Sequence, residues 1–486
     1  MTMTEACPSV LGPARVFLAV LLAVLLAVFF GVGGQIGAVA QDFQRPLIPV
    51  TRDFILANGL RVVFSEDHAV PVVSLVIVYD VGARNEEKGR SGFAHLFEHM
   101  MFQGSDNVGK SEHFKYIESA GGSMNASTHS DFTDYFDKLP SNQVELALWL
   151  ESDRMRSLKV TPENFENQLQ TVKEEKRARI DNQPYTPAYL KLQETLFDNW
   201  ANAHPTIGSF ADLEASGVED VRKFFKTYYA PNNAVMAIVG DFDAGKMQKL
   251  VERYFGTIPG EPAPGKPAVT EPLQTRAKYA RVDDAHAKQP AFWVGWKVPP
   301  RRDPDYYALG VLEKIIASGE SSRIYQRMVK GDKVALRADM WMDERRGPGA
   351  FEGFFVFKPG STADKVREIM WSEIDKVKNG PVSQAEIDKA KNQILRGLFA
   401  AGGHSSLQRS LGRAEMLAEY TMFFGDPRYF DEDIEAYMKV TADDVRAVAK
   451  KYLTVDGIAV IDVVPVPARA DASGETGRQA GTTAQN

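Results

Sequence analysis

The sequence predicts an α+β protein with two copies of one domain, each a largely antiparallel sheet with helices packed on one face. The chain has 486 residues, which is more than a single hydrophobic core usually organises. Strand-like and helix-like runs follow one another along the chain, and a segment near residue 218 resembles one near residue 442. These three observations favour a duplicated α+β fold.

The internal repeat carries most of this prediction. VEDVRKFFKTYYAPNNAVMAIV, from Val218, aligns without a gap with ADDVRAVAKKYLTVDGIAVIDV, from Ala442, so the copies lie 442 − 218 = 224 positions apart. Both copies contain Asp-Val-Arg, followed by a Lys and a Tyr at the same spacing. A repeat of this length indicates two copies of one domain and not a solenoid.

A Pro- and Gly-rich segment, IPGEPAPGKPAVTEP, lies between the two copies and indicates an interdomain linker. We therefore predict a first domain at residues 41–257, a linker at 258–274 and a second domain at 275–468. A disordered tail is expected at residues 469–486.

Residues 1–40 have the pattern of a signal peptide. Arg15 supplies a positive charge, Val16 to Val32 is an unbroken apolar run, and Ala38-Val39-Ala40 has the small-x-small form of a cleavage site. The alternative is an uncleaved membrane anchor, because the run is slightly longer than a usual signal core. The cleavage site favours removal before Gln41, export and a periplasmic location.

Composition excludes several classes of function. The net charge of −7 provides no basic surface for nucleic acid, and 44% hydrophobic with 25% charged residues is ordinary for a globular protein. The single cysteine, Cys7, precedes the apolar run. The chain therefore has no internal disulfide and no cysteine-based metal site.

The elements of the first domain can be predicted in order. Asn58-Gly59, the strongest short hairpin signal, lies between two β-rich runs. The apolar run from Val72 to Tyr79 predicts a buried strand. A helix is expected to begin at Ser111, as its cap, and to end at Gly121-Gly122. Further strands are predicted at residues 123–128 and 132–137, and further helices at 141–157 and 162–181.

The segment from Phe93 to Gln103 predicts another helix, because no Pro or Gly interrupts it. It contains His95, Glu98 and His99, in the order His-x-x-Glu-His. Positions i and i+4 of a helix share a face and i+3 lies beside them, so two imidazoles and one carboxylate surround one point. The imidazoles can ligate zinc, and the carboxylate can act on zinc-bound water. This inverse of the His-Glu-x-x-His motif is typical of inverzincins.

The alternative is an ordinary amphipathic helix whose His and Glu residues lie on a solvated face, since short patterns recur by chance. Against it, the neighbouring residues make the helix apolar nearly all round, which predicts burial: Leu96, Phe97, Met100, Met101 and Phe102. Buried His and Glu side chains need a partner, and a metal ion supplies one.

A catalytic zinc site has three protein ligands and an open fourth position. The third candidate lies in the charged helical stretch ENFENQLQTVKEEKRARIDNQP, which carries Glu163, Glu166, Glu174 and Glu175. Charge runs on helices are usually solvated, so composition does not choose among these carboxylates.

At this point the sequence resembles a known family. His95-Leu96-Phe97-Glu98-His99, followed by VKEEKR, is similar to the pitrilysin/insulinase family of zinc peptidases, which includes the mitochondrial processing peptidases. Other segments resemble landmarks of that family in the same order: residues 54–64, 121–136, 148–155, 228–242 and 320–326. The resemblance covers nearly the whole mature chain.

The resemblance implies a ligand set and a catalytic residue. His95, His99 and Glu175 would hold one zinc ion per chain; Glu175 lies 175 − 99 = 76 positions after the second histidine, and Glu174 is the neighbour most easily confused with it. Glu98 would be the general base of peptide hydrolysis.

The resemblance also implies a substrate-binding strand. Asn125 and Ala126 would contact an extended peptide that adds to the sheet by β-augmentation. The alternative is a plain strand with no role in binding. His113 and His129 are treated as ordinary polar residues and not as further ligands.

The second half does not repeat the metal motif. A shift of 224 positions carries His95, Glu98 and His99 onto Gly319, Ser322 and Arg323, and carries Glu175 close to Gly397. We therefore expect no second metal site. The second copy is either a structural duplicate or, as the resemblance favours, one wall of a substrate chamber.

Two departures from the family pattern bear on activity. Active relatives usually carry an Arg and a Tyr seven residues apart in the second half, but Val329 and Leu336 occupy those positions here. Some exported bacterial relatives divide the work between a zinc-bearing chain and an Arg/Tyr-bearing chain. Gln168 stands where many relatives have an acidic residue that tunes the metal site.

The sequence therefore predicts an exported zinc endopeptidase that acts on peptides or unfolded segments. A dimer is expected, either of identical chains or with an Arg/Tyr-bearing homologue. Two alternatives are a non-catalytic assembly or binding subunit of the same family and a zinc hydrolase for non-peptide substrates.

Overall fold

Two mixed sheets form the framework of the protein in a computed structural model that describes residues 46–400 and 406–467. The predicted signal peptide and the tail at 469–486 lie outside the described residues. The strands are β1 (Arg52–Ile55), β2 (Arg61–Glu66), β3 (Val72–Tyr79), β4 (Ser123–Thr128), β5 (Thr133–Pro140), β6 (Ala234–Gly240), β7 (Lys278–Asp284), β8 (Ala291–Val298), β9 (Ala335–Asp343), β10 (Gly349–Phe357) and β11 (Ile458–Pro465).

Helices connect and cover these strands. Those of the first half are α1 (Phe93–Met100), α2 (Glu112–Ser119), α3 (Val144–Ser157), α4 (Pro162–Lys176), α5 (Thr186–Leu196), α6 (Trp200–Ala203), α7 (Phe210–Glu214), α8 (Val218–Tyr228) and α9 (Ala244–Phe255). Those of the second half are α10 (Pro304–Ile316), α11 (Arg323–Tyr325), α12 (Ala363–Asn379), α13 (Gln384–Leu398), α14 (Ser410–Phe424), α15 (Tyr429–Lys439) and α16 (Ala442–Tyr452). None of the helices in the described ranges is long and apolar enough to cross a membrane.

The two sheets repeat one topology. The first has the strand order β1-β2-β6-β3-β5-β4 and the second the order β7-β11-β8-β10-β9. The second order is the first without a counterpart of β1. In each sheet one pairing is parallel, β2 with β6 and β7 with β11, and the others are antiparallel. The predicted duplicated α+β fold with largely antiparallel sheets is confirmed.

The constant shift of 224 positions is wrong at the metal helix. It holds for β6 and β11, which begin at Ala234 and Ile458 (458 − 234 = 224), but β3 and β8 begin 291 − 72 = 219 positions apart. Loops of different length between the copies change the shift. In topology the counterpart of α1 is therefore α10, the helix that follows β8, and not the segment around residues 319–323.

The prediction of helices on one face of each sheet is incomplete: each sheet is covered on both faces, and one cover comes from the other half of the chain. Alternate residues of β3 divide between the faces: Leu75 and Ile77 pack against the helices of the first half, whereas Val76 and Val78 pack against α14. In the same way, α5 of the first half packs on the second sheet. This double cover explains why β3 is apolar at nearly every position.

The helices α5 and α14, each of which packs on the sheet of the other half, join the two halves into one compact unit. Leu417 on α14 is 1% exposed, and the Ser410 hydroxyl at the start of that helix lies 2.9 Å from the Ser74 hydroxyl on β3. Residues 256–277 contain no helix or strand. The domain limits at 257 and 275 stay a prediction.

Candidate metal centre

The helix α1 carries the predicted motif at the core of the first half. It ends at Met100, three residues before the predicted end, and its apolar residues are buried as expected: Leu96 and Met100 are 0% exposed. His95 and His99 project from one face, with ring centroids 4.9 Å apart. The apolar surround therefore holds both imidazoles in place.

The first turn of α1 is anchored by a buried carboxylate that the sequence did not single out. Glu86 accepts hydrogen bonds from the backbone N–H groups of Gly92 and Ala94, at 2.9 and 2.7 Å. His204 lies 2.9 Å from the same carboxylate, and its other ring nitrogen contacts the carbonyl of Trp200. A carboxylate at a helix N-terminus satisfies free N–H groups and complements the helix dipole. Glu86 thus positions the metal helix.

Replacing Glu86 with Ala is expected to lower the free energy of unfolding by about 3 kcal/mol, because His204 and two N–H groups lose a buried partner. Urea denaturation of the mature chain measures this loss. The exposed neighbour Glu87 is the matched control, and its replacement by Ala should change stability by less than about 0.5 kcal/mol. Equal effects of the two substitutions would contradict the anchoring role.

Glu175 lies near the end of α4 and faces the two histidines. Its Oε2 atom is 3.2 Å from His99 Nε2 and 3.6 Å from His95 Nε2. Its other oxygen, Oε1, is 2.8 Å from the guanidinium of Arg179. Of the four carboxylates that the sequence left open in this stretch, only Glu175 joins the histidines in a group with metal-ligand spacing within the described residues.

The spacing of these three side chains fits a tetrahedral metal ion. Ligand atoms about 2.0–2.1 Å from a tetrahedral zinc lie roughly 3.3 Å from one another. Two of the pairs in this group are 3.2 and 3.6 Å apart, and all three lie within 4.8 Å of one another. The donors also have the nitrogen and oxygen chemistry that zinc accepts.

The protonation of the group suits a metal as well. Burial, reinforced by His99, lowers the pKa of His95 to about 4, so its imidazole is neutral at pH 7. A hydrogen bond from His99 lowers the pKa of Glu175, which is therefore ionised. Metal ligands must be deprotonated in this way. Among the described residues, the buried Nδ1 atom of His95 has no hydrogen-bond partner.

Glu98 points to the same place but is held by a different contact. The Thr128 hydroxyl on β4 donates a hydrogen bond of 2.6 Å to Glu98 Oε2. Burial raises the pKa of Glu98. A carboxylate with a raised pKa, next to a candidate metal centre and fixed by one donor, has the properties of a general base. The sequence assigned no role to Thr128. This residue lies thirty positions after Glu98, and the fold of the sheet brings the two side chains together.

Asn125 and Ala126 lie on β4, one of the two edge strands of the first sheet. Within the part of the chain that the structure describes, β4 pairs only with β5, so its outer edge is free. Thr128 brings the end of this strand to the metal centre. An extended peptide could add to that edge through backbone hydrogen bonds.

A second buried group contains His113, Asp137 and Glu151. Here Arg154 already supplies a cation, because two of its N–H groups bond the carboxylate of Glu151. Burial raises the pKa of Asp137 to about 6 and of Glu151 to about 7, and lowers that of His113 to about 3. This group therefore already contains one cation, although His113 Nε2 and both carboxylate oxygens of Asp137 are buried without a hydrogen-bond partner among the described residues.

The second half brings no such group together within residues 46–400 and 406–467. Val329 is half-buried against the second core, and Leu336 is 52% exposed on β9. Gln168, at 7% exposure, lies two turns before Glu175 on α4, and its amide donates to Asn167.

Two family models match the chain. The model described as insulinase (peptidase family M16) matches residues 61–208, which include the candidate metal centre. The model described as the peptidase M16 inactive domain matches residues 217–394. The division agrees with the location of the metal-ligand group in the first half.

Individual proteins are similar over most of the chain. Zinc protease PqqE of Helicobacter pylori is 30% identical over 420 residues, which is 83% of this chain and 90% of that protein. A probable mitochondrial-processing peptidase subunit beta of Arabidopsis thaliana is 25% identical over 429 residues, or 86% and 79%. The crystal structure of a protease from Helicobacter pylori matches with a TM-score of 0.81 at 28% identity, over 86% of this chain and 100% of that one.

Proposed function

The chain belongs to the insulinase family of peptidases, family M16, and we propose that it is a zinc endopeptidase that hydrolyses peptides or unfolded protein segments. One observation carries the proposal: His95, His99 and Glu175 converge at metal-ligand spacing, and Glu98 lies beside them. Four such groups at one point are difficult to explain by structural needs alone.

His95, His99 and Glu175 would hold one zinc ion per chain. Bound zinc supplies Lewis acidity, which polarises a scissile carbonyl and lowers the pKa of bound water to about 7. Glu98, oriented by the Thr128 hydroxyl, accepts a proton from the attacking water and delivers it to the leaving amine nitrogen. Its raised pKa brings it nearer to the working pH of a general base.

The substrate would bind as an added strand at the edge of β4. Asn125 and Ala126 would contact it, chiefly through their backbone groups. Backbone pairing requires an extended chain, which favours peptides and unfolded segments over folded proteins. Non-peptide substrates offer no backbone to pair with this edge. The second half would form the opposite wall of the substrate chamber.

We further propose that the protein is exported and that cleavage after Ala40 produces the mature chain. The N-terminal sequence of the protein purified from its producing cells tests this: it should begin at Gln41. A purified chain that still contains Arg15 and the apolar run that follows it would instead indicate a membrane anchor.

The zinc requirement is tested by metal removal. The mature chain should bind one zinc per molecule and cleave unstructured peptides; chelation should abolish cleavage, and added zinc should restore it. Metal analysis and peptide mass spectrometry measure the two properties. One bound zinc with no cleavage, alone or with a partner chain, would favour the non-catalytic assembly subunit instead.

A partner chain would supply the missing Arg and Tyr. Val329 and Leu336 offer neither a hydrogen-bond donor nor a charge to a substrate. We expect a homologous chain with Arg and Tyr at these two positions to associate with this one and to raise kcat/KM by about tenfold or more. Light scattering and peptide assays of the mixture measure both effects. Full activity of this chain as a homodimer would contradict a division in which this chain binds zinc and a partner chain supplies the Arg and Tyr.

A further inference from the structure

The two oxygen atoms of the Glu175 carboxylate have different partners. Oε2 faces the other candidate metal ligands, 3.2 Å from His99 Nε2 and 3.6 Å from His95 Nε2. Oε1 lies 2.8 Å from the guanidinium of Arg179, four residues further along the chain. One carboxylate is therefore shared between the candidate metal centre and an arginine to which the proposed function gives no role.

Arg179 lies in an irregular turn that continues α4. Residues Arg177–Asp181 form a π-helical turn, in which the N–H of Asn182 donates a hydrogen bond of 2.9 Å to the carbonyl of Arg177. Turns of this kind are rare and occur frequently at functional sites. The turn begins two residues after Glu175, so the backbone next to the third candidate ligand departs from a regular α-helix.

The exposure of the two side chains favours a role in the metal centre over a purely structural one. The Glu175 side chain is 17% exposed, whereas that of Arg179 is 78% exposed. An ion pair with one exposed partner, four residues apart on a helix, contributes little to stability. Folding therefore gains little from Arg179. The direction of the enclosed carboxylate, in contrast, depends on the charge-assisted hydrogen bond that it accepts.

The neighbouring polar residues of α4 are engaged elsewhere. Gln168, two turns earlier, donates its amide hydrogen to Asn167. Glu174, the adjacent carboxylate, pairs with Arg177. Among the described residues, the ion-pair partners of the Glu175 side chain are the two histidines and Arg179. Arg179 is therefore the one group outside the candidate ligand set that fixes the orientation of this carboxylate.

The number of oxygen atoms that Glu175 offers decides how many positions of a bound metal ion remain free. A carboxylate can bind a metal through one oxygen or through both. Together with His95 and His99, one oxygen makes three protein ligands and leaves a fourth tetrahedral position, whereas two oxygens occupy all four. A catalytic zinc site keeps that fourth position open for water. The hydrogen bond from Arg179 engages Oε1 and favours the first arrangement.

We propose that Arg179 is a positioning residue: it engages Oε1 of Glu175, so that Oε2 alone serves as the metal ligand and one coordination position stays free for water. The proposal rests on the proposed function, because it assigns Arg179 to the zinc site of the peptidase. Arg179 acts through Glu175 and not on the substrate. Its removal should therefore impair hydrolysis while zinc stays bound and the affinity for substrate is kept.

The substitution Arg179→Ala tests this role, and Arg177→Ala is the matched control. Both remove a guanidinium from the same turn and break an ion pair with a glutamate on α4, but only the first of these glutamates is a candidate ligand. Arg179→Ala should keep one zinc per chain, lower kcat for peptide cleavage by about tenfold or more, and change KM by less than about twofold. Arg177→Ala should leave all three values unchanged. Arg179→Lys, which keeps a charged donor, should restore most of kcat.

Binding of a small molecule at the metal provides a measurement that does not depend on cleavage. The probe is imidazole, which occupies one coordination position, titrated into the Co²⁺-substituted chain and followed by the visible absorption of the metal. Because imidazole is neutral, loss of the charge on Arg179 has little direct effect on its affinity. Imidazole should bind the Arg179→Ala protein about tenfold more weakly than it binds the unaltered or the Arg177→Ala protein.

Equal imidazole affinities in Arg179→Ala and Arg177→Ala, or equal kcat values, would overturn the positioning role. Loss of zinc from Arg179→Ala would also overturn it, because Arg179 would then be needed to hold the metal and not to keep a position free. Failure of the proposed function has a different signature: the unaltered chain would cleave no peptide, alone or with a partner chain, while the difference in imidazole affinity would remain.

Discussion

Replacing Glu98 with Gln is expected to leave one zinc bound per chain while lowering kcat/KM for peptide hydrolysis by about 10²–10⁴-fold. Gln has nearly the same shape as Glu, and its amide oxygen can still accept the hydrogen bond from Thr128. It has no basic oxygen, so it cannot take the proton of the attacking water. The substitution therefore separates proton transfer from metal binding.

The measurement requires metal analysis and kinetics on the same preparation. Glu118→Gln is a suitable control, because Glu118 is an exposed glutamate on the neighbouring helix α2 and its replacement should leave both values unchanged. Zinc-loaded Glu98→Gln protein that turns over peptides at the original rate would eliminate Glu98 as the general base.

The local part of this centre could be predicted from sequence. The apolar residues around His95 and His99 predicted a buried helix, and the i and i+4 spacing predicted that both imidazoles share a face; the structure has both. These are short-range properties, fixed by the period of one helix. The hairpin, the buried strand β3 and the strand β4 were predictable for the same reason.

The predicted cap of α2 was wrong in its chemistry. Ser111 is the N-cap, but its backbone is left-handed (φ 58°) and its side chain makes no capping bond. Glu112, the first residue of the helix, instead bonds the N–H of Gly109. Residue preferences locate a helix end better than they identify the group that satisfies it.

The long-range part could not be predicted. Nothing in the local pattern of α14 indicates that it covers the sheet of the other half, because its burial depends on strands more than 150 residues away in sequence. Likewise, the contact between Thr128 and Glu98 depends on how β4 pairs, and the shift between the two copies changes with loop length.

The second large expected effect is on zinc binding, and it distinguishes two adjacent glutamates. Composition left Glu174 and Glu175 open, yet they point in different directions: the Glu174 side chain is 71% exposed and pairs with Arg177, whereas Glu175 is 17% exposed and faces the histidines. Successive residues of a helix are about 100° apart, so only one of two neighbours can reach a given point. The ligand role should therefore be confined to Glu175.

Glu175→Gln is expected to weaken zinc binding by more than the roughly 10–100-fold that loss of an outer-sphere partner costs, because the anionic ligand itself is removed. Peptide hydrolysis should fall with zinc occupancy and recover in part at high zinc. Glu174→Gln, the matched control, loses an exposed ion pair worth less than about 1 kcal/mol and should keep its zinc. Zinc titration against a competing chelator measures both affinities. Equal zinc affinities in the two variants would remove Glu175 from the ligand set, because the charge that is lost would be the same in both and only its direction would differ.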